Sequence, residues 1–162
     1  MVTWAGGTMI ASLDRPEVMF PPSWEFNALP GFMVQLYALY KQEPIDFSKY
    51  DTGNLDVYQG IIDCWDTPAA LADALRKACN YHTERSHGED PGLEFVYSPY
   101  TAFPAEILAI YRVRADLGLE TPMVEHPFLG TPLVHPPEQM PPYEDELLDR
   151  VVRQLRAEIP DI

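Results

Sequence analysis

Apolar residues recur along most of this chain at spacings of three and four, the period of an α-helix with one buried face. Alternation typical of strands is weak and limited to residues 8–13 and 93–97, and no second strong strand signal exists to pair with either. We therefore predict a mainly α fold, a single compact bundle of about five helices with long Pro-rich loops and at most a minor short β element. The predicted helices cover residues 31–42, 55–65, 68–83, 103–117 and 143–158.

Residues that start or stop helices flank these segments. Asn54 can cap the second helix, and Thr67 followed by Pro68 marks the start of the third. Gly118 follows the fourth helix at the position where a glycine usually ends one. The last helix has acids in its first turn, arginines later, and an apolar stripe that includes Leu148.

The chain's 162 residues favour one domain spanning 1–162. Its 17 prolines lie mostly between the helical segments, so we expect ordered loops. Residues 1–30 are predicted to be an irregular segment packed on the helical body, and residues 119–142 a Pro-rich arm without regular structure. Phe128, Leu129 and Leu133 are predicted to anchor this arm.

The formal net charge of −14 argues against binding to nucleic acids or anionic membranes, which requires clustered lysine and arginine. It suits a basic protein partner, although acidity for solubility alone is an equally good explanation. Two windows, 50–75 and 115–149, hold five and eight acids and no lysine or arginine, and are called base-free below. Aromatic residues among these acids are candidate anchors of an interface. The predicted partner-binding residues are Asp51, Asp56, Tyr58, Asp63, Asp66, Glu120 and Glu125.

Candidate chemistry is sparse. Cys79, His82 and His87 form a short run of possible metal ligands, but the spacing is unspecific, and a core cysteine beside a half-buried histidine explains it better. No hydrolase, zinc-protease, phosphate-loop or dinucleotide motif is present. We predict no cofactor, no metal and no enzyme activity. A small metal-dependent hydrolase, which would need a pocket containing His82, is the least favoured alternative.

Features that direct a protein out of the cytoplasm are missing from the sequence. The first residues lack a basic region followed by a long apolar run, and no stretch approaches the roughly 18 apolar residues of a membrane span. Cys64 and Cys79 are too few for a disulfide framework and are expected to be buried free thiols. A cytoplasmic location is therefore predicted.

Three stretches together carry a family resemblance: LDVYQGIIDCW at 55–65, FPAEILAIYRVRADLGL at 103–119, and EHPFLGTPL at 125–133 with the acidic helix that follows. This combination resembles small cytoplasmic immunity proteins that accompany bacterial polymorphic toxins, including effectors of type VI secretion. Such proteins each bind one toxin domain and block it.

The resemblance implies a function in protein–protein contact. The expected partner is a cognate toxin, basic in charge, and a nuclease or nucleotide-consuming enzyme because the inhibitor is expected in the cytoplasm. An adaptor or chaperone that loads a secreted effector without inhibiting it is the alternative. An adaptor should expose an apolar groove, whereas an inhibitor should expose acids around aromatic residues.

Overall fold

The fold was analysed in a computed structural model, which describes residues 27–42, 54–87, 94–95, 100–135 and 145–158. Helices account for 70% of these residues, and no strand occurs among them, which confirms the mainly α prediction. The five α-helices are α1 (Ala28–Lys41), α2 (Gln59–Asp63), α3 (Pro68–Glu84), α4 (Ala105–Asp116) and α5 (Glu146–Glu158). Short 3-10 turns cover Asp56–Tyr58, Pro127–Gly130 and Pro132–Val134.

The core forms where α1, α3 and α4 meet. Helix α1 packs against α4, and α3 packs against the 56–63 segment, α4 and the turn at Pro127–Gly130. The faces predicted to point inward on α3 and in the first half of α4 are buried, whereas Tyr111 and Leu117 are only half-buried. The side chains with no solvent exposure include Phe32, Leu36, Tyr58, Ile61, Leu71, Leu75, Ala78, Ile107, Ile110 and Val113.

The helix ends follow the predicted signals closely. Helix α3 begins at Pro68 directly after Thr67, as predicted. Gly118 has a φ of 70°, and its N–H donates to Ala115 while that of Leu119 donates to Arg114. These two bonds form a Schellman cap, in which the left-handed residue is normally a glycine. The Asp145 carboxylate caps α5 by accepting from the N–H of Leu148 at 2.9 Å.

Several predicted boundaries differ from the structure, among them the start of α4, which is Ala105 rather than residue 103. The helix predicted at 55–65 divides into a 3-10 turn and the five-residue α2, with the Asn54 side chain accepting from the N–H of Asp56 at 2.9 Å. Helix α1 begins earlier than predicted, because Pro30 lies within its first turn, where no N–H is required. Of the possible strand at 93–97 only Glu94 and Phe95 are described, and they form a bend. The possible strand at 8–13, and most of the predicted N-terminal segment, lie outside the described residues.

The arm is more regular than predicted, since it contains the two 3-10 turns that begin at Pro127 and Pro132. Leu129 is buried and the Phe128 ring lies against His82, so both anchor the arm as expected. Leu133 is 50% exposed and is not an anchor, because the second turn buries its neighbour Val134 instead. Residues 136–142 lie outside the described ranges.

Candidate functional site

A buried histidine–carboxylate pair joins α3 to α4. His82 Nδ1 lies 2.6 Å from Glu106 Oε1, and both side chains are almost completely enclosed. His82 Nε2 lies 2.9 Å from the carbonyl oxygen of Tyr100, which can only accept, so Nε2 carries a proton. A second proton lies between Nδ1 and Oε1, because two bare acceptors would not approach to 2.6 Å. The His82 ring therefore has a fixed orientation with both nitrogens bonded.

Aromatic rings and unpartnered polar atoms surround this pair. The His82 ring stacks on Phe95 at 3.9 Å and tilts against Phe128 at 4.4 Å. Glu106 Oε2 and the Tyr58 hydroxyl are buried and have no hydrogen-bond partner among the residues that the structure describes. Burial, and then the negative charge of Glu106, raises the pKa of Tyr58 well above its usual value.

Cys79, one turn before His82, is also enclosed. Burial, reinforced by Glu106, raises the pKa of its thiol to about 12, so no thiolate forms near neutral pH. The exposed His87 instead turns its Nδ1 to the carbonyl of Thr83 at 3.0 Å. No group of three metal-binding side chains occurs among the described residues. The predicted core position of Cys79 fits this geometry, whereas His82, predicted to be half-buried, is completely enclosed. The histidine that a hydrolase would use therefore lacks access to solvent.

Alkaline pH is expected to destabilise the fold. The pKa values of Tyr58, Cys79, Tyr81 and Tyr111 are all raised, mainly by burial. Each group stays neutral in the fold while it ionises in the unfolded chain, so stability is full below the unfolded pKa and is lost as the pH rises. The free energy of unfolding, measured by urea denaturation between pH 7 and 11, should fall above about pH 9.

The phenol substitution Tyr58→Phe should make that decline shallower, whereas the same change at the exposed Tyr100 should leave it unaltered. A stability that stays constant up to pH 11 would contradict this assignment.

Arg114, at the end of α4, is buried and connects three segments. Its guanidinium donates to the carbonyl oxygens of Trp65 and Glu120 and to Thr121 Oγ1, the last at 3.3 Å. It also lies 4.9 Å from the Trp65 ring centroid, within cation–π range. Arg114 therefore binds the arm and the turn after α2 to one helix.

Five of the seven predicted partner-binding residues are exposed: Asp56, Asp63, Asp66, Glu120 and Glu125. Tyr58 is not, because its ring stacks on Phe32 at 4.5 Å and is fully enclosed. We therefore remove Tyr58 from the candidate surface. Asp51 lies outside the described residues and stays a prediction.

The structure brings one acid from each base-free window to the same place. Asp66 and Glu120 both act on the guanidinium of Arg114, raising its pKa against the larger lowering effect of burial. The hydrogen bonds of Arg114 explain this proximity, since they hold Trp65 beside Glu120. Asp63 is turned toward Gln59, whose side-chain amide donates to it at 2.8 Å.

A groove of about 510 Å³ runs between α4 and the arm. Met123 stands at its edge with 93% of its surface exposed, and Glu125 also borders it. His126 forms part of the wall and is fixed by two bonds, from Phe128 N–H to Nδ1 at 3.2 Å and from Nε2 to Asn80 Oδ1 at 2.9 Å. The apolar lining consists of Leu108, Tyr111, Met123, Val124, Leu129 and Val134.

Sequence reasoning missed the groove, Met123 and the His82–Glu106 pair. Met123 resembles any apolar residue of a loop, and only its exposure in the fold distinguishes it. In the sequence Glu106 is an acid in the first turn of a helix, where the helix dipole favours one, and its partner lies 24 residues away. One feature of the sequence pointed to a buried partner: Glu106 directly precedes Ile107, which is predicted to lie in the core.

We refer below to Asp66, Glu120, Met123 and Glu125, with the adjoining groove, as the arm surface. Within the described part of the chain, no helix has the length and apolar character needed to cross a bilayer. Comparison with known protein families, curated proteins and solved structures finds no match to this chain.

Proposed function

We propose that this protein is an immunity protein, which binds a cognate bacterial toxin in the cytoplasm and neutralises it by direct contact through the arm surface. The observation that carries the proposal is Met123, whose side chain is 93% exposed in the arm and bordered in sequence by the exposed acids Glu120 and Glu125. An apolar anchor inside a charged rim is the usual anatomy of a tight protein–protein contact.

The arm surface is held in place before any partner arrives. Arg114 bonds the arm at Glu120 and Thr121, and the cap at Gly118 fixes the direction in which the chain leaves α4. Farther along, His126 bonds both the turn that follows it and α3. A preorganised surface loses little conformational entropy on binding, which favours high affinity.

The charge of the arm surface favours a basic partner. The chain has no lysine or arginine between residues 115 and 149. The positive charge that Asp66 and Glu120 approach, Arg114, is buried and leaves the surface acidic. Enzymes that act on nucleic acids carry basic surfaces, which a negative inhibitor can attract and cover. A nuclease or nucleotide-consuming toxin is the partner class we propose, and Asp56 and Asp63 would add to the attraction.

The groove favours a second candidate, an adaptor that carries an effector without inhibiting it. An extended apolar segment of an effector could lie along Tyr111, Val124 and Leu129, as in other grooves that bind peptides. The two functions differ in outcome, since an inhibitor abolishes toxin activity and an adaptor leaves it intact.

The test is binding and inhibition of the product of the adjacent gene. We expect a complex by calorimetry, loss of the toxin's activity in the complex, and an affinity that weakens as salt rises. The double substitution Glu120→Lys and Glu125→Lys should weaken binding about 100-fold, mainly through slower association, and Met123→Ser about 10-fold through faster dissociation.

The control is Asp73→Lys, which reverses the charge of one acid on α3, where Asp73 is exposed and pairs with Arg76. It should leave binding nearly unchanged. Binding that tolerates all arm-surface substitutions, or an adjacent product that is harmless in the cytoplasm without this protein, would refute the proposal. A complex in which the toxin stays fully active would identify the adaptor instead.

A further inference from the structure

Helix α5 has an apolar face that is largely open to solvent. None of its thirteen residues is buried, whereas α1, α3 and α4 each bury five or more. Leu147, Leu148 and Val151 are 67%, 47% and 45% exposed, and Val152 and Leu155 complete the same face half-covered. A strongly amphipathic helix with an uncovered apolar face normally packs against another protein surface.

The spacing of this face suits pairing with another helix. Leu148, Val152 and Leu155 are separated by four and three residues, and Ile159 follows four later in the sequence. This is the alternation of a two-helix seam. Asp149 and Arg156 are seven residues apart, so they lie on one flank of the seam, on either side of Val152.

The charges of α5 favour a second copy of the same chain as its occupant. Helix α5 carries three acids and three arginines and is therefore neutral, although the whole chain has a net charge of −14. It is thus a place where two strongly acidic chains can approach with little repulsion. The groove beside α4 has no lining residue from α5, so the apolar face of α5 is a separate surface.

Charge also selects the orientation of the pair. In an antiparallel pair, the Asp149 of each copy faces the Arg156 of the other, which gives two symmetric ion pairs at the edge of the seam. In a parallel pair, Asp149 would instead approach the acidic first turn of the other helix, which begins at Glu146. The antiparallel arrangement also closes on itself, as a two-fold symmetric dimer requires.

We propose that α5 forms an antiparallel, two-fold symmetric homodimer contact, with Leu148, Val151, Val152 and Leu155 in its seam and Asp149 paired with Arg156 of the second copy. The helix is only about 20 Å long, so the seam is at the small end of specific interfaces. A dissociation constant on the order of 10–100 µM is therefore expected. This contact is independent of the arm surface and of the proposed function.

Sedimentation equilibrium of the full chain tests the proposal. The unaltered protein should change from monomer to dimer as its concentration rises to about 500 µM, well above the expected dissociation constant. Asp149→Arg places two arginines opposite each other and Arg156→Asp two aspartates, so each single variant should dimerise at least about tenfold more weakly.

An equimolar mixture of those two variants restores both ion pairs and should form a heterodimer. The double variant Asp149→Arg with Arg156→Asp should dimerise like the original. The control Arg76→Asp makes the same charge change on α3 and should leave the association unaltered. Circular dichroism of each variant verifies that the fold is retained.

Several results would overturn the proposal. The proposed contact is contradicted if the unaltered protein stays monomeric up to 500 µM, if the single variants dimerise as well as the original, or if the mixture of variants remains monomeric; each result alone is enough. If Leu148→Ser lowers the melting temperature of a monomeric protein, the face is covered by its own chain. If it weakens only toxin binding, the toxin is the occupant.

Discussion

Replacing Arg114 by alanine is expected to lower the free energy of unfolding by about 4 kcal/mol, because the buried carbonyl oxygen of Trp65 and the partly buried one of Glu120 lose their donor. The substitution removes the bonds to Trp65 and Glu120 and the packing of the guanidinium on the Trp65 ring. For a chain of this length, the melting temperature should fall by roughly 10 °C. Urea denaturation and thermal unfolding followed by circular dichroism measure both quantities.

Two further substitutions separate the role of Arg114 from that of positive charge alone. Arg114→Lys keeps the charge but cannot reach both carbonyls and Thr121 with one ammonium group, so it should recover less than half of the loss. Arg112→Ala removes an exposed arginine of the same helix that pairs with Asp116, and the melting temperature should barely change. Equal effects at the two arginines would contradict the clamp that we assign to Arg114.

Loss of Arg114 should also affect the arm surface. The arm leaves α4 at Gly118, and the next attachment to the body is the pair of Arg114 bonds at Glu120 and Thr121. Without them Met123 and its flanking acids would sample more positions. The cost of ordering the arm would then reduce affinity for a partner even at temperatures where the body remains folded.

The second large effect is expected at the pair of His82 and Glu106. His82→Ala should lower the free energy of unfolding by about 3–5 kcal/mol, because it leaves the Glu106 carboxyl buried without a partner and opens a cavity between Phe95 and Phe128. Denaturation in urea, with intrinsic fluorescence as the signal, measures the loss.

Three variants provide the controls. Glu106→Gln keeps a hydrogen-bonding group opposite Nδ1 and should cost less, about 1–2 kcal/mol. Replacing both partners by His82→Phe and Glu106→Leu removes the unpaired group altogether and should recover much of the stability. The exposed His87→Ala, on the same stretch of chain, should be close to neutral. If the double variant is less stable than His82→Ala, the pair contributes more to stability than the hydrogen bonds between its own two side chains.

The two buried groups have related positions in the molecule. The His82–Glu106 pair joins α3 to the beginning of α4, and Arg114 joins the end of α4 to the arm. Phe128 lies against His82, so the arm, which is bound to Arg114 near its start, contacts the His82–Glu106 pair farther along. The arm surface is thus supported at both ends by buried polar side chains that do not reach solvent.

The mainly α fold, the positions of most helices and several helix ends could be predicted from the sequence alone. Thr67 with Pro68 and the glycine at 118 act within a few residues of where they stand, so their effect can be read without knowledge of the rest of the chain. The same holds for the buried faces of α3 and α4, because the spacing of apolar residues depends only on the helical period.

Which residues pack against each helix face could not be predicted from the sequence and is known only from the tertiary structure. Tyr58 has the same sequence character as a surface anchor, and packing against Phe32 is what buries it. His82 meets Glu106 over 24 residues and Arg114 meets Trp65 over 49, distances at which no local pattern operates. Helix α5 is a further example. Its apolar stripe is evident in the sequence, but whether that stripe is buried depends on residues distant along the chain that pack against it, and none of its residues is buried.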